Sequence, residues 1–228
     1  RFLQAVEGSE IDRMAEMMSR FEEALVADEP DLVIVVGDVT STLACALTAA
    51  KRGIAVAHVE AGLRSGDRRM PEELHRIATD ALSDLLFTYS ADADQNLRDE
   101  GVPDPAIHRV GNVMIDTLLR CLEQARERST LDDLGLEPQG YGLLTLHRPA
   151  NVDDPDILRG LFGALAEIHC ELPIIFPVHP RTAAVIEAQL GGVKPALIMT
   201  KPLRYLHFLL LMADARLVLT DSGGIQED

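Results

Sequence analysis

Cysteine is scarce in this chain. Cys45, Cys121 and Cys170 are the only three, they lie far apart, and no Cys-x-x-Cys pair occurs. That excludes a zinc finger or ribbon and a disulfide framework, and it suits a reducing, cytoplasmic setting. Basic residues are also few, 21 Lys and Arg against 37 Asp and Glu, for a net charge of −16. A nucleic-acid binder neutralises phosphates with a broad basic face, which this balance does not offer. Long apolar runs are missing as well. The best candidate, Leu206 to Leu219, is cut by His207, Asp214 and Arg216, short of the about 18–20 apolar residues that span a bilayer. No signal peptide is legible at the start. The expectation is a protein with neither nucleic-acid nor membrane partners.

What is present is material for a core. The chain has 228 residues, 47% of them hydrophobic and 25% charged, the composition of a globular protein with one large or two small α/β domains. It begins at Arg1, without an initiator Met, and stops at Asp228 just after a glycine turn. It is therefore expected to be a piece of a longer protein, truncated at both ends.

An alternation recurs along it: a helical stretch, a short β-branched run, a polar or glycine turn, then another helix. Strands are expected at Leu32–Val36, Ile54–Val59, Leu85–Thr88 and Ile107–Val110, with helices over 10–27, Thr40–Lys51, 71–84, 91–100 and 113–128. Leu32 to Val36 is apolar throughout, as for a strand buried on both faces of a parallel sheet. The stretch 129–140, with Asp132, Asp133, Gly135, Pro138 and Gly140, reads as a linker. The pattern then restarts, with strands at Gly142–Leu146, Ile174–Val178, Ala196–Met199 and Leu217–Leu219. Short turns between strands and helices imply parallel sheets covered on both sides. The predicted fold is α/β: two Rossmann-like domains facing a cleft, residues 1–128 and 141–228 joined by 129–140.

In such sheets ligands bind beyond the carboxyl ends of the strands. The polar residues sit there: Asp38, Glu60, His147, His179 and Asp221-Ser222 each follow a strand. The segment from His58 to Arg76 is dense in charge, with Glu60, Glu72 and Glu73 among Arg64, Arg68, Arg69 and Arg76. Pro71 opens a helix with Glu72 and Glu73 in its first turn, where the helix dipole favours carboxylates. Carboxylates held close together can have their pKa values pushed apart, which supplies an acid and a base. A strand-end His147-Arg148 suits an anionic ligand. Asp221-Ser222-Gly223-Gly224 resembles a phosphate-binding turn at a helix start, although many tight turns share that look. These residues point to a nucleotide-linked substrate and do not identify the reaction.

Several motifs occur in a fixed order: Val35-Val36-Gly37-Asp38, His58-Val59-Glu60-Ala61-Gly62-Leu63-Arg64, Pro71-Glu72-Glu73 with Arg76, and Gly111-Asn112-Val113-Met114-Ile115-Asp116. They are followed by Thr145-Leu146-His147-Arg148, Pro177-Val178-His179-Pro180 and Thr220-Asp221-Ser222-Gly223-Gly224-Ile225-Gln226-Glu227. The set resembles the non-hydrolysing UDP-N-acetylglucosamine 2-epimerases over essentially the whole chain. The resemblance implies a glycosyltransferase-B-like fold, no metal or other cofactor, a homodimer, and UDP-GlcNAc and UDP-ManNAc as ligands in cell-surface polysaccharide synthesis. It implies that a base removes the sugar C2 proton as UDP leaves C1, and that UDP re-adds while C2 is protonated on the opposite face.

By motif match, Asp38, Glu60 and Glu72 take the places of the family's acid/base carboxylates, and His147 that of its active-site histidine near the diphosphate. Which carboxylate serves which face is open. Ser222, Gly223 and Gly224 match the phosphate turn, Phe208 the aromatic near the uracil, and Leu203 the backbone contact to it. Arg76 and Arg148 are further substrate-binding candidates. Asp228 stands where the family usually carries a Glu for the ribose hydroxyls. The family's N-terminal phosphate loop and first strand have no counterpart, so this piece alone is expected to be inactive and poorly stable. A hydrolysing epimerase and a glycosyltransferase of the same fold remain as alternatives.

Overall fold

The computed structural model describes residues 8–189 and 197–227. It divides into two compact units, Arg1–Val113 and Met114–Asp228.

The first unit opens with helix α1 (Glu10–Asp28), started by a reciprocal cap in which Ser9 and Asp12 bond each other's backbone. There follow β1 (Leu32–Val36), α2 (Thr40–Lys51), β2 (Ala55–Val59), α3 (Pro71–Leu82), β3 (Leu85–Thr88), α4 (Ala91–Asp99) and β4 (Ile107–Arg109). The four strands form one parallel sheet in the order β1-β2-β3-β4. Val33 and Val35 are buried with Leu25, Ala46, Ala49 and Val56. The other face of β1 differs from the expectation: Ile34 is 62% exposed and Val36 52%. β1 is the edge strand, and among the described residues no helix covers that side. A concavity of about 490 Å³ runs along β1, α1 and α2. It contains none of the four candidate catalytic side chains.

The second unit comprises α5 (Val113–Arg126), α6 (Thr130–Leu134), β5 (Gly142–Thr145), α7 (Pro149–Val152), α8 (Pro155–Glu171), β6 (Ile174–Pro177), α9 (Pro180–Gln189), β7 (Ile198–Thr200), α10 (Tyr205–Asp214), β8 (Leu217–Thr220) and α11 (Gly223–Glu227). Its parallel sheet runs β7-β6-β5-β8. Ile174, Phe176, Leu144 and Leu158 pack on one side, and Tyr141, Leu143, Ile175 and Leu211 on the other. Ala196, the expected start of β7, lies outside the described residues.

The domain boundary falls earlier than the composition of 129–140 suggested. α5 belongs to the second unit because Leu118, Cys121, Leu122 and Ala125 pack with Leu206, Leu209 and Leu210 of α10. Nor is 129–140 simply a linker. It contains α6, whose Thr130 is buried and bonds His207 Nδ1 at 2.7 Å.

Candidate functional site

In the first unit the candidate residues emerge from adjacent parallel strands. Val36 of β1 is in register with Val59 of β2, so Asp38 and Glu60 leave the sheet side by side. The backbone bends sharply there. Gly37 has φ +71° and Glu60 φ +69°, the left-handed region that is uncommon for a residue with a side chain. Two residues on, Gly62 has φ +80°, and a Cβ there would lie 2.4 Å from the carbonyl oxygen of Ala93. Only glycine fits.

Arg76 of α3 ties the two strand ends together. Its side chain is buried, one arm donates to the Glu60 carbonyl at 2.6 Å, and another pairs with the Asp38 carboxylate. The expected substrate-binding arginine is thus turned inward onto the protein. His75 donates from Nδ1 to the Asp38 carbonyl at 2.9 Å. His58, wholly buried, donates from Nε2 to the Gly37 carbonyl at 2.9 Å, while its Nδ1 lies 2.6 Å from Asp80 Oδ1. Asp80 also accepts from Gly62 N at 3.1 Å and pairs with Arg64 at 2.8 Å, and Arg64 pairs in turn with Glu100. The carbonyls of Gly37, Asp38 and Glu60 and the N–H of Gly62 are each held by a side chain, a network that rigidifies the two turns.

The paired glutamates at the start of α3 separate into two roles. Glu73 is buried and accepts from Ser65 N at 2.7 Å, Ser65 Oγ at 3.0 Å and Gly66 N at 3.1 Å. Burial pushes its pKa up, but the Ser65 and Gly66 donors and the nearby Arg64 guanidinium outweigh that and hold it below the ordinary value. It clamps the loop between β2 and α3. Glu72, one residue earlier, is exposed.

In the second unit the site gathers at the ends of β5 and β8, which pair through Thr145 and Thr220 with their hydroxyls 2.7 Å apart. Asp221 accepts from Arg148 N at 2.8 Å, from His147 N at 3.0 Å and from Asn151 Nδ2 at 3.1 Å. His147 Nδ1 lies 2.7 Å from Asp221 Oδ1. Burial raises the Asp221 pKa, but the two backbone donors, Asn151 and the His147 ring pull harder, leaving it below the usual value. Arg148 Nε donates to the Asp221 carbonyl at 3.2 Å. Ser222 N donates to Thr220 Oγ1 at 2.9 Å.

Gly223 and Gly224 start α11. A Cβ at Gly223 would meet nothing within 4 Å, and at Gly224 only Ser222 Oγ at 4.0 Å. Among the described residues, packing does not call for glycine at either place. Leu203 and Phe208 are half-buried against the cluster around Tyr141 and Leu211. His179 Nδ1 accepts from Arg181 N at 3.3 Å, at the start of α9. Asp228 lies outside the described residues. Among the described residues no group of three or more His, Cys, Asp or Glu side chains could hold a metal ion, and no helix is long and apolar enough to cross a membrane.

Three residues escaped the reading by motif: Glu73 as a clamp, Asp80 and Asp221. The first two had a signal. The buried face of α3 consists of Glu73, Arg76, Thr79 and Asp80, a polar stripe at helical spacing where an apolar one is usual. Asp221 lay within a noted motif, but its bonds to the 147–151 turn join residues 70 to 74 positions apart.

Residues 2–228 match the family model described as UDP-N-acetylglucosamine 2-epimerase. A Methanococcus maripaludis protein named a UDP-N-acetylglucosamine 2-epimerase homolog is 42% identical over 97% of this chain and 63% of its own length. A Pseudomonas aeruginosa UDP-2,3-diacetamido-2,3-dideoxy-D-glucuronate 2-epimerase is 43% identical over 93% of this chain and 59% of its own length. The crystal structure of Methanocaldococcus jannaschii UDP-GlcNAc 2-epimerase in complex with UDP-GlcNAc and UDP superimposes with TM-score 0.82 at 38% identity, covering 96% of this chain and 63% of that one. The chain thus spans less than two thirds of the relatives it matches.

Proposed function

We propose that this chain, which belongs to the UDP-N-acetylglucosamine 2-epimerase family, forms the larger part of an enzyme that interconverts UDP-N-acetylglucosamine and UDP-N-acetylmannosamine. The observation that carries the reading lies in the first unit. Asp38 and Glu60, which the family motif marks as acid/base groups, leave neighbouring strands in register, and Arg76 bonds both residues. Fixing such groups before substrate arrives is what acid–base catalysis requires.

The C2 hydrogen of an N-acetyl sugar is only weakly acidic, so removing it and expelling UDP must be coupled. Asp38, Glu60 and Glu72 are assigned the two proton transfers, on opposite faces of C2. His147, Arg148 and the Ser222-Gly223-Gly224 turn are assigned the diphosphate, where donors stabilise the charge of the departing UDP. Leu203 and Phe208 are assigned the uracil, and Asp228 the ribose. Arg76 is reassigned from substrate to the scaffold of Asp38 and Glu60.

The reading includes a cytoplasmic homodimer in polysaccharide precursor synthesis. Three free cysteines support the compartment, and family resemblance supports the rest. A second reading keeps the chemistry and changes the sugar. The 43% identity to the diacetamido-glucuronate epimerase favours it as much as the 42% match favours UDP-GlcNAc.

The test is to incubate the purified full-length protein separately with UDP-GlcNAc and with UDP-2,3-diacetamido-2,3-dideoxy-D-glucuronate and to separate the products. UDP-ManNAc as the main product supports the first reading, and turnover of the diacetamido-glucuronate sugar alone supports the second. Free N-acetylmannosamine with UDP would indicate a hydrolysing enzyme. No change in either sugar would overturn both.

A further inference from the structure

The turn that follows β5 is organised around one carboxylate. Asp221 Oδ2 receives three N–H donors: Arg148 N at 2.8 Å, His147 N at 3.0 Å and Asn151 Nδ2 at 3.1 Å. Oδ1 is the oxygen that faces the imidazole, 2.7 Å from Nδ1. A carboxylate can only accept, and its lone pairs would repel a bare ring nitrogen at that distance, so the charge-paired contact favours the hydrogen on Nδ1. The neutral ring is thereby confined to one tautomer, with its Nε2 lone pair available. The side chain of Asp221 is largely buried while that of His147 is half exposed, 9% against 53%. The carboxylate stays on the protein side and the ring is the part that can meet a ligand.

We propose that Asp221 is a positioning residue, which fixes the orientation and tautomer of His147 so that Nε2 is the atom turned to the diphosphate of a nucleotide sugar. This rests on the proposed epimerase reading for the identity of that ligand. The hydrogen-bond pattern itself does not depend on it. With Nε2 protonated, the ring passes that proton to a diphosphate oxygen as UDP departs and takes it back when UDP re-adds, so the cycle consumes no proton.

Asp221→Asn is the discriminating change, because the donor count decides how the amide lies. Two N–H groups bond Oδ2 alone, and the His147 N–H lies between 3.0 and 3.1 Å from both oxygens. The amide oxygen therefore takes the Oδ2 place, and the NH₂ group takes the Oδ1 place facing Nδ1. Nδ1 must then accept, and the neutral ring moves its hydrogen to Nε2. The turn keeps its bonds and Nε2 still faces outward, but it now carries the neutral ring's hydrogen and has no lone pair to take up a proton.

The experiment uses full-length protein with ¹⁵N-labelled histidine, comparing wild type and Asp221→Asn by long-range ¹H–¹⁵N correlation, with His147→Gln to assign the signals. The wild-type neutral ring should carry its hydrogen on Nδ1 and the variant ring on Nε2. In epimerisation assays kcat should fall about 10²–10⁴-fold, as for a misplaced acid/base group, with KM changed less than about threefold. A wild-type ring protonated at Nε2 alone would overturn the proposal and requires no variant to fold. So would a variant with the switched tautomer and unchanged kcat. If wild type turns over neither sugar, the epimerase reading fails, while the tautomer measurement still decides the Asp221–His147 pairing.

Discussion

Gly62 offers a quantitative check on the packing around the catalytic turns. Its φ is +80°, its N–H bonds Asp80, its carbonyl accepts from Asn96 Nδ2, and an added Cβ would lie 2.4 Å from Ala93 O and 2.9 Å from Ala93 C. Gly53 is an internal control, since it has φ +72° and nothing within 4 Å of an added Cβ. Alanine at either position incurs the left-handed penalty of about 1–2 kcal/mol. At Gly62 the Cβ also collides with backbone, which cannot rotate away, and overpacking of this kind costs a further about 1–3 kcal/mol. Gly53→Ala should therefore destabilise by about 1–2 kcal/mol and Gly62→Ala by about 2–5 kcal/mol. With a urea dependence near about 2 kcal/mol per molar, those become midpoint shifts of about 0.5–1 M and 1–2.5 M. Equilibrium urea unfolding of the two full-length variants beside wild type measures the difference. Equal shifts would refute the reasoning, because they would mean that the 60–62 turn can move away from α4.

Two further changes probe the same region. Glu73→Gln should cost about 1–3 kcal/mol at neutral pH through weakened bonds to Ser65 and Gly66. Because the Glu73 pKa is depressed in the folded state, its contribution is complete above the ordinary glutamate range and is lost as pH falls through the folded value, so wild type and variant should converge in acid. Thermal unfolding from pH 7 to pH 3 reads this, and a constant gap would refute it. Arg76→Met should lower kcat at least about 10²-fold by releasing Asp38 and the Glu60 carbonyl together, with little effect on UDP affinity. A variant that instead loses UDP binding in calorimetry would restore Arg76 to the substrate-binding role.

The strands were legible because parallel β runs are short, apolar and β-branched, and the turns after them collect the polar residues. Leu32–Val36 and Leu85–Thr88 emerge with the expected bounds. The charge of the His58–Arg76 segment announced a site, but not which carboxylate turns inward. Glu72 and Glu73 are neighbours of one chemistry, and helix rotation alone buries the second and exposes the first. Arg76 reads in sequence as a free cation near acids, whereas its α3 face turns it onto Asp38 and Glu60. Asp221 and His147 are brought together by the β5–β8 pairing, a long-range contact that spacing does not reveal. The boundary before α5 was hidden for a related reason. The turn-like composition of 129–140 suggested a linker, while the apolar stripe of α5 docks on α10 some eighty residues later.

Reversible proton exchange at C2 is read by proton NMR of the full-length protein with UDP-GlcNAc in D₂O. Deuterium is expected at C2 in UDP-ManNAc and in recovered UDP-GlcNAc, with Glu60→Gln slowing the exchange by about 10²–10⁴-fold. An epimer that keeps its original C2 hydrogen, or a sample with neither exchange nor a new sugar, would contradict it.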